Sequence, residues 1–405
     1  MRIVVHDYAG HPGQVHLSRE LARRGHVVEH QYCASYTTGR GATERREGDP
    51  PTFSARGLDL GGEFKRYNPL TRIRQEIQYA RMADRAIRAA KADVALLSNV
   101  PLLTLFFLTR ALRRHRVPYV FWQQDVTSDA IGGVARQRLG PAGAVIAWIA
   151  SNAERMAARG AAAVIPISDT FLDQLAAWGV PRDAITVVPN WGAIDEMPQR
   201  PKDNEWSRSQ GLADVPVVMY AGTLGLKHDP SVLLRLAQAV PDDTRVVVVS
   251  QGKGREWLDE HGATTPNLTL LDYQPYEQLP DMLATADVLV VVLESDASRY
   301  SVPSKALNYF CAGRPVLGLL PNNNAVAHMI ESAQAGLVVD PKASEATAAA
   351  INGLLADAEM REKMGAAARN YAENTFDVHR IADTFESVLT GAYDPSSGIA
   401  QQKLK

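Results

Sequence analysis

The 405-residue sequence contains only two cysteines, Cys33 and Cys311, and they lie far apart along the chain. This spacing fits neither a disulfide framework nor a zinc site, and it suits a reducing cytoplasm. No apolar run reaches the roughly 20 residues that a membrane-spanning helix needs. The start of the chain lacks the pattern of a signal peptide, because the strand-like run Met1–Val5 ends at His6 and Asp7. We therefore expect a cytoplasmic protein.

Two motifs that bind cofactors and metals are also missing. No first strand-to-helix turn has the Gly-x-Gly-x-x-Gly spacing of dinucleotide-binding folds. The later string Gly252-Lys253-Gly254 lacks the third glycine of that motif. This disfavours a dinucleotide-dependent oxidoreductase. No Asp-x-Asp motif stands beside a predicted strand end. We therefore expect no cofactor and no essential metal.

The net charge of −2 conceals an uneven distribution of charged residues. Residues 1–198 hold 25 Lys and Arg against 19 Asp and Glu, whereas residues 199–405 hold 18 against 26. Some of the basic excess directly follows the apolar run Leu102–Leu108. A helix with an apolar face and a cationic end can lie on a membrane, although a core helix with a solvated basic end has the same pattern. The basic residues form two groups along the sequence. The first group is Arg110, Arg113, Arg114, His115 and Arg116. The second group is Lys65, Arg66, Arg72, Arg74, Arg81 and Arg85. We hypothesise contact with the anionic inner face of the cell membrane, at its periphery, and expect no nucleic acid partner.

The first half of the chain alternates predicted strands and helices, which indicates the parallel sheet of a doubly wound domain. Arg2–His6 is predicted as the first strand, followed by a helix from about Val15 to Arg24 and a strand at Val27–Tyr32. Further elements are predicted as a helix at about 68–91 and strands at 94–97, 119–122 and 163–167. Residues 37–62, rich in Gly, Arg, Glu and Pro, are predicted to form a long irregular loop.

The second half repeats this alternation. Strands are predicted at 215–220, 245–250, 268–271, 288–293, 316–319 and 336–339. Residues 195–214 lose apolar periodicity, and we interpret them as a linker between domains. We thus predict a first domain over 1–198, a second over 199–375, a C-terminal helix over 376–392 and a disordered tail over 393–405.

One string in the second domain is the most informative part of the chain. Residues 301–315, Ser-Val-Pro-Ser-Lys-Ala-Leu-Asn-Tyr-Phe-Cys-Ala-Gly-Arg-Pro, lie between the apolar runs Ala286–Leu293 and Val316–Leu320. A serine-rich loop with a proline in the first turn predicts a helix N-terminus, where backbone N–H groups and the helix dipole favour a bound phosphate. Lys305 adds a positive charge there. An ordinary capped helix is the alternative when the loop is considered alone.

The whole string resembles the nucleotide-sugar signature of retaining family 4 glycosyltransferases, and the resemblance extends over nearly the whole chain. It looks most like the branch that builds bacterial exopolysaccharides and lipopolysaccharide O-antigens, the colanic-acid type. The resemblance implies the GT-B fold, in which two Rossmann-like, doubly wound α/β domains face a central cleft and a C-terminal helix crosses back to the first domain. It implies hexosyl transfer with retention of configuration from a UDP-sugar or GDP-sugar. The implied acceptor is a growing glycan on a lipid carrier, such as a polyprenyl-diphosphate-linked saccharide.

The resemblance also assigns roles to residues around the donor. In the family, the loop and helix start bind the donor diphosphate, and lysines that Lys227 and Lys305 match neutralise it and stabilise the leaving group. Thr223 stands where many members have Arg. The diphosphate-binding residues implied are Gly10, Gly13, Gly222, Thr223, Ser301, Val302, Pro303 and Ser304. The nucleoside-binding residues implied are Gln251, Gly252, Gln274, Tyr276, Leu279 and Asn308.

Gln124 and Asp125 end a predicted strand of the first domain, where the family commonly has a His or an acidic residue near the donor sugar. They are candidate catalytic residues together with Lys227 and Lys305. The alternative for Asp125 is an ordinary helix cap.

Two positions depart from the family pattern. Tyr300 and Asn308 stand where the family usually has two Glu residues, the second of which bonds the ribose hydroxyls. Asn308 follows Lys305 by one helical turn, and its amide can still donate to and accept from a ribose. A non-catalytic nucleotide-sugar-binding partner of another transferase, and a sugar-nucleotide 2-epimerase, therefore remain as alternatives.

Overall fold

In the computed structural model, the chain folds into two compact units. The structure describes residues 1–36, 40–64, 68–225, 229–293 and 305–393. The first unit contains residues 1–189 and the helix that begins at Val378, and the second contains Asn190–Asp377. The division falls between Pro189 and Asn190, which is earlier than the predicted boundary at residue 198. None of the described helices is long and apolar enough to cross a membrane.

The first unit is built on a parallel six-stranded sheet. Its strands are β1 Arg2–Asp7, β2 Val27–Cys33, β3 Phe53–Leu58, β4 Val94–Ser98, β5 Tyr119–Gln123 and β6 Ala163–Pro166. Its helices up to the boundary are α1 Pro12–Arg23, α2 Pro69–Ala89, α3 Leu102–Arg114, α4 Thr127–Leu139, α5 Pro141–Gly160 and α6 Leu172–Ala177. The strand order is β3-β2-β1-β4-β5-β6, so the order reverses between β1 and β4.

The second unit repeats this plan. Its strands are β7 Val217–Ala221, β8 Arg245–Val249, β9 Leu268–Leu271, β10 Val288–Val292, β11 Val316–Leu319 and β12 Gly336–Val339. Its helices are α7 Glu205–Ser209, α8 Ser231–Ala239, α9 Lys253–His261, α10 Leu279–Thr285, α11 Lys305–Ala312, α12 Ala325–Ser332, α13 Ser344–Ala356 and α14 Ala358–Thr375. The order β12-β11-β10-β7-β8-β9 reverses between β7 and β10. Both units therefore have the doubly wound Rossmann-like order, as predicted.

Runs of β-branched residues explain the central strands. Every residue of β10, with the sequence VLVVV, is completely buried, and β7 is buried along its whole length. Strands of a parallel sheet are covered by helices on both faces, so they need continuous apolar runs rather than alternation. These runs made the central strands predictable from the sequence.

The C-terminal helix, α15 Val378–Tyr393, returns to the first unit, as predicted. It packs against α1, β4 and β5. The buried ring of Phe385 meets the Trp122 ring edge-on, with 4.7 Å between centroids. At the rim, Arg24 donates hydrogen bonds to Asp383 at 2.7 Å and Glu386 at 2.8 Å. The predicted tail lies outside the described residues from residue 394 onward.

Two segments differ from the predictions. The predicted long loop at 37–62 contains strand β3, which pairs with β2 at the edge of the first sheet. The segment 195–214 is not an exposed linker, because it packs within the second unit. There Asn204 and Ser207 form a reciprocal cap of α7, and the Trp206 side chain is buried. Short runs held by side-chain caps carry little apolar periodicity, which explains why the sequence suggested a linker.

Candidate functional site

The candidate site of the second unit lies at the carboxyl ends of β7 and β10. Gly222 directly follows β7, and Lys305 is the first residue of α11, the helix that follows β10. The strand order reverses between these two strands. Ligands of doubly wound folds bind outside the carboxyl ends of the strands at such a point. The fold therefore brings together two residues that the sequence predicted for the donor diphosphate.

Lys305 lies over the ring of Tyr220, the penultimate residue of β7. Its Nζ atom is 3.9 Å from the ring centroid and donates a hydrogen bond to the Tyr220 hydroxyl. The hydroxyl donates in turn to the Thr223 carbonyl at 3.0 Å. Burial lowers the pKa of Lys305 to about 7, because the ammonium loses solvation there. A bound anion would restore the lost electrostatic stabilisation.

Gly222 makes room for this lysine. A Cβ atom at position 222 would lie 2.9 Å from Cε and 3.1 Å from Nζ of Lys305. The backbone φ of Gly222 is +145°, which disfavours any other residue. The Gly222 N–H donates to the Val249 carbonyl at 2.9 Å. In this conformation Gly222 supplies space rather than a free N–H group for a phosphate.

Tyr309 fixes α11 relative to the end of β7. Its buried hydroxyl accepts from the Ala221 N–H at 2.9 Å and donates to the Ala221 carbonyl at 3.1 Å. Because Tyr309 and Lys305 are four residues apart, they share one face of the helix. The sequence analysis did not single out Tyr220 or Tyr309. Two features of the sequence could have indicated them. Tyr220 lies near the end of a predicted strand, and Tyr309 lies one helical turn beyond Lys305.

The loop after β7 packs against the loops after β8 and β9. The Thr223 hydroxyl bonds the hydroxyl of Tyr273, and the Leu224 N–H donates to Ser250 Oγ at 3.1 Å. Gly252 has a φ of +108°, and a Cβ there would lie 3.0 Å from the Leu224 carbonyl. The glycines of these turns thus allow close backbone approach.

The predicted nucleoside residues divide into two groups. Gln251, Gly252 and the half-buried Asn308 lie at the same sheet edge as Lys305. Gln274 and Tyr276 instead bond the segment before β7, because Gln274 accepts from Trp206 Nε1 at 3.2 Å and Tyr276 donates to Glu196 at 2.8 Å. Leu279 is the first residue of α10 and is half-buried.

Several predicted residues lie outside the described part of the chain. They are Lys227, Tyr300, Ser301, Val302, Pro303 and Ser304. The assignment of these residues to the donor diphosphate, Tyr300 excepted, stays a prediction. The described part of the candidate phosphate site therefore consists of Lys305, Gly222 and the residues that hold them.

The first unit carries a polar cluster at the matching edge of its own sheet. The buried Asp7 ends β1, and it accepts from the backbone N–H of His11 at 2.5 Å and from the Asn99 amide, which follows β4, at 2.7 Å. Burial lowers the pKa of His11, but the hydrogen bond and charge of Asp7 and the charge of Asp125 outweigh it, so the pKa is raised. The sequence analysis missed this cluster, because its residues are distant along the chain.

The other predicted residues of the first unit surround this cluster. Gly10 donates to the Asp7 carbonyl and has a φ of +72°, and Gly13 lies in the first turn of α1. Gln124 is half-buried, and Asp125 is exposed just before α4.

Asp125 does not cap α4, which was the alternative for this residue. The Thr127 and Ser128 N–H groups at the start of α4 donate instead to the buried Glu154, at 3.2 and 2.8 Å. Desolvation raises the pKa of Glu154 to about 7, although these hydrogen bonds oppose the shift. Asp125 thus stays a candidate for the site.

Within the described ranges, no cluster of three or more His, Cys, Asp or Glu side chains has the arrangement of a metal site. The described charged groups at the carboxyl ends of the central strands include Lys305 in the second unit, and Asp7, His11 and Asp125 in the first. The fold and these sites define a class of protein with two Rossmann-like domains and a cationic group at the switch point of the second.

Comparison with known proteins identifies the family. Residues 12–191 match the glycosyl transferase 4-like domain, and residues 202–371 match the glycosyl transferases group 1. Together the two matches cover most of the chain, which belongs to the glycosyltransferases of the GT-B fold.

One relative by sequence is alpha-D-kanosaminyltransferase of Streptomyces kanamyceticus, which is 28% identical over 229 residues. The match covers 53% of this chain and 57% of the relative, so the chain spans little more than half of that protein's length. Its sequence thus aligns with only part of the relative.

Two solved structures share the fold over nearly the whole chain. HepE of Anabaena in complex with UDP-glucose has a TM-score of 0.69 and 17% identity, over 96% of this chain and 99% of that one. WaaG, a glycosyltransferase involved in lipopolysaccharide biosynthesis, has a TM-score of 0.68 and 15% identity, over 96% and 100%. At these identities the likeness shows the GT-B fold.

Proposed function

We propose that this protein is a retaining, family 4 hexosyltransferase that uses a UDP-sugar or GDP-sugar as donor. The observation that carries the proposal is Lys305, which is held by Tyr220 against Gly222 at the switch point of the second sheet. A lysine whose pKa is lowered to about 7 by burial gains most when a diphosphate lies beside it. Membership of the glycosyltransferases and the UDP-glucose bound by HepE support the same donor class.

In the proposed reaction, the bond between the sugar C1 and the diphosphate oxygen breaks as an acceptor oxygen bonds C1 on the same face. The acceptor proton passes to the departing diphosphate, so neither a covalent nucleophile nor a metal is needed. The protein's contribution is to stabilise negative charge on the leaving group. Lys305, and Lys227 as a prediction from the sequence, supply that charge in the second unit.

The acceptor in this proposal is a growing cell-surface glycan on a lipid carrier, of the exopolysaccharide or O-antigen type. The polar cluster of Asp7, His11 and Asn99 lies at the sheet edge of the first unit. A histidine whose pKa is raised by Asp7 and by the charge of Asp125 is suited to bind hydroxyl or phosphate groups of such a molecule. The role of WaaG in lipopolysaccharide biosynthesis supports an acceptor of this kind.

Thermal unfolding with nucleotides tests the donor site. We expect UDP or GDP to raise the unfolding temperature in the presence of EDTA, whereas CMP, ADP and NAD should not. At 100 times the dissociation constant, a ligand adds about 2.7 kcal/mol to the free energy of unfolding. Lys305→Ala should abolish the shift, while Lys363→Ala, which removes an exposed lysine of α14, should keep it. No shift with any nucleotide contradicts the proposal.

A second candidate is a nucleotide-sugar-binding partner without catalytic activity. Asn308, which replaces the usual Glu on α11, favours it. The two candidates differ in turnover, because we expect a transferase to transfer its donor sugar slowly to water even without the natural acceptor. Tight nucleotide binding with no release of nucleoside diphosphate from any matching sugar donor would identify the binding partner.

A further inference from the structure

A large apolar surface covers the helical hairpin of the first unit, formed by α4 and α5. Trp148 is 67% exposed, and Val145 and Ile149 are more than half exposed. We call this surface the hairpin face. Its residues are Val134, Leu139, Val145, Ile146, Trp148, Ile149 and Met156, each at least 40% exposed. Exposed large apolar side chains gathered in one patch usually mark an interaction site.

The packing of the hairpin explains why these side chains point outward. α4 and α5 meet through small residues, and a Cβ atom on Gly143 would lie 2.0 Å from the Ala135 carbonyl oxygen. A Cβ atom on Gly132 would touch Ala147 at 3.0 Å. The buried strip of α5 therefore contains glycine, alanine and Glu154, not large apolar residues. This reverses the usual arrangement, in which an amphipathic helix buries its large apolar side chains.

The exposed residues of α5 form a continuous stripe. Val145, Trp148, Ile149 and Met156 are spaced by three, one and seven positions, which places them along one side of the helix. Leu139 extends the stripe to the turn at Gly140, where φ is +53°. Phe107 of the neighbouring α3, 40% exposed, adds a further apolar group.

The part of the hairpin around its turn carries charge of one sign, whereas the opposite end holds the exposed Asp129 and the buried Glu154. Residues 130–153 contain no Asp or Glu, whereas they contain Arg136 and Arg138. Arg136 on α4 and Arg155 and Arg159 on α5 are exposed. An apolar stripe with tryptophan that is flanked by arginines, and that has no acidic residue between positions 130 and 153, complements an anionic bilayer surface.

We propose that the hairpin face docks the protein onto the surface of an anionic lipid bilayer. Trp148 and the aliphatic side chains enter the boundary between head groups and acyl chains, while the arginines contact lipid phosphates. The contact lies in the plane of the interface and spans nothing. It differs from the contact predicted from the sequence, which relied on the basic end of α3.

A second copy of the chain fits the hairpin face less well than a bilayer does. In a twofold dimer the same patch meets itself, so the arginines of one copy would face a patch that has no acidic residue between positions 130 and 153. A bilayer instead supplies phosphates in any geometry. The arginines therefore favour lipid over self-association.

The test is sedimentation of the full chain with vesicles of phosphatidylcholine, and of phosphatidylcholine with phosphatidylglycerol. We expect binding only to the anionic vesicles, and weaker binding at high salt. Trp148→Asp should weaken partition by about tenfold or more, because an apolar anchor is lost and a like charge is added. Met360→Asp, at an exposed apolar position on α14 of the second unit, should sediment as the wild type does.

A second variant separates docking from misfolding. Trp148→Phe should still bind anionic vesicles, because phenylalanine is also an apolar anchor. Brominated lipid should quench less of the tryptophan fluorescence in this variant than in the wild type, because Trp148 is the tryptophan that enters the bilayer. Equal sedimentation of wild type and Trp148→Asp, or no vesicle binding by the wild type, would overturn the proposal. So would a wild-type dimer that Trp148→Asp dissociates. Nucleotide-induced stabilisation of the same variants reports separately on the donor site.

Discussion

The Lys305 ammonium lies 3.9 Å from the centre of the Tyr220 ring, and the two residues also share a hydrogen bond. The aromatic face and hydroxyl replace only part of the lost solvation, so burial still lowers the pKa of Lys305 to about 7. Without a ligand, the site therefore carries a partial charge near neutral pH. A bound diphosphate favours the charged form of Lys305, so the site carries its full positive charge when the ligand is bound.

This relationship predicts proton uptake when a nucleoside diphosphate binds. Because binding raises the pKa of Lys305, the affinity should fall as the pH rises above about 7. Calorimetry at pH 8 in buffers of different ionisation enthalpy measures the number of protons taken up. We expect this number to approach zero in Lys305→Met, and an unchanged number would show that another group takes the proton.

Gly222→Ala should weaken nucleotide binding and stability together. The added methyl group would collide with the Lys305 side chain at 2.9 Å, and the φ of +145° is strained for alanine by about 1–3 kcal/mol. Gly225→Ala is the matched control, because a Cβ atom there meets no atom of the described residues within 4 Å. Titration with UDP and thermal unfolding measure both effects. Equal behaviour of the two variants contradicts the role of Gly222 as the space for Lys305.

Asn308→Glu should tighten nucleotide binding by about tenfold, since a carboxylate makes stronger hydrogen bonds to ribose hydroxyls than an amide does. Asn308 is half-buried on α11, one turn from Lys305. Comparison of UDP with 2′-deoxy-UDP assigns the effect to the ribose. If Asn308→Glu and Asn308→Ala bind both nucleotides with wild-type affinity, Asn308 does not face the sugar.

Glu154→Gln should remove a pH dependence of stability. Burial raises the pKa of Glu154 from 4.5 to about 7, so the folded state binds its proton more tightly than the unfolded state. The wild type should therefore lose stability relative to Glu154→Gln as the pH rises from about 4.5 to about 7, and the difference should stay constant above that. Unfolding in urea at a series of pH values measures this change. The exposed Glu345→Gln should show the wild-type profile.

Phe385→Ala should reduce the free energy of unfolding by about 3–5 kcal/mol, because the completely buried ring leaves a cavity beside Trp122. Ser387→Ala, at an exposed position of the same helix, is the control. Denaturant unfolding followed by tryptophan fluorescence provides the measurement. A loss below about 1 kcal/mol would mean that α15 adds little to the first unit.

The sequence predicted the fold well wherever buried strands are continuous apolar runs, as in β7, β8 and β10. It failed at β3, because the edge strand FSARGL exposes most of its side chains and so lacks such a run. It also failed at α7, which is held by the cap at Asn204 rather than by a periodic apolar face.

The residues of the candidate site were predictable only where they belong to one continuous segment of the sequence. Lys305 and Asn308 belong to a continuous string with a recognisable pattern. Tyr220 acts through a contact with a residue 85 positions away, and Asn99 reaches Asp7 across 92 positions. Such pairs exist only once the strands are in register, and a single sequence does not show which strands become neighbours.

The return of α15 to the first unit affects how the nascent chain matures on the ribosome. Trp122 and Arg24 are synthesised early, but Phe385, Asp383 and Glu386 follow only after the whole second unit has been made. The surface of the first unit around Trp122 and Arg24 therefore stays uncovered while the second unit is synthesised. A chain truncated before Val378 would contain every described strand of both sheets, yet its first unit would lack the helix that covers Trp122 and Arg24.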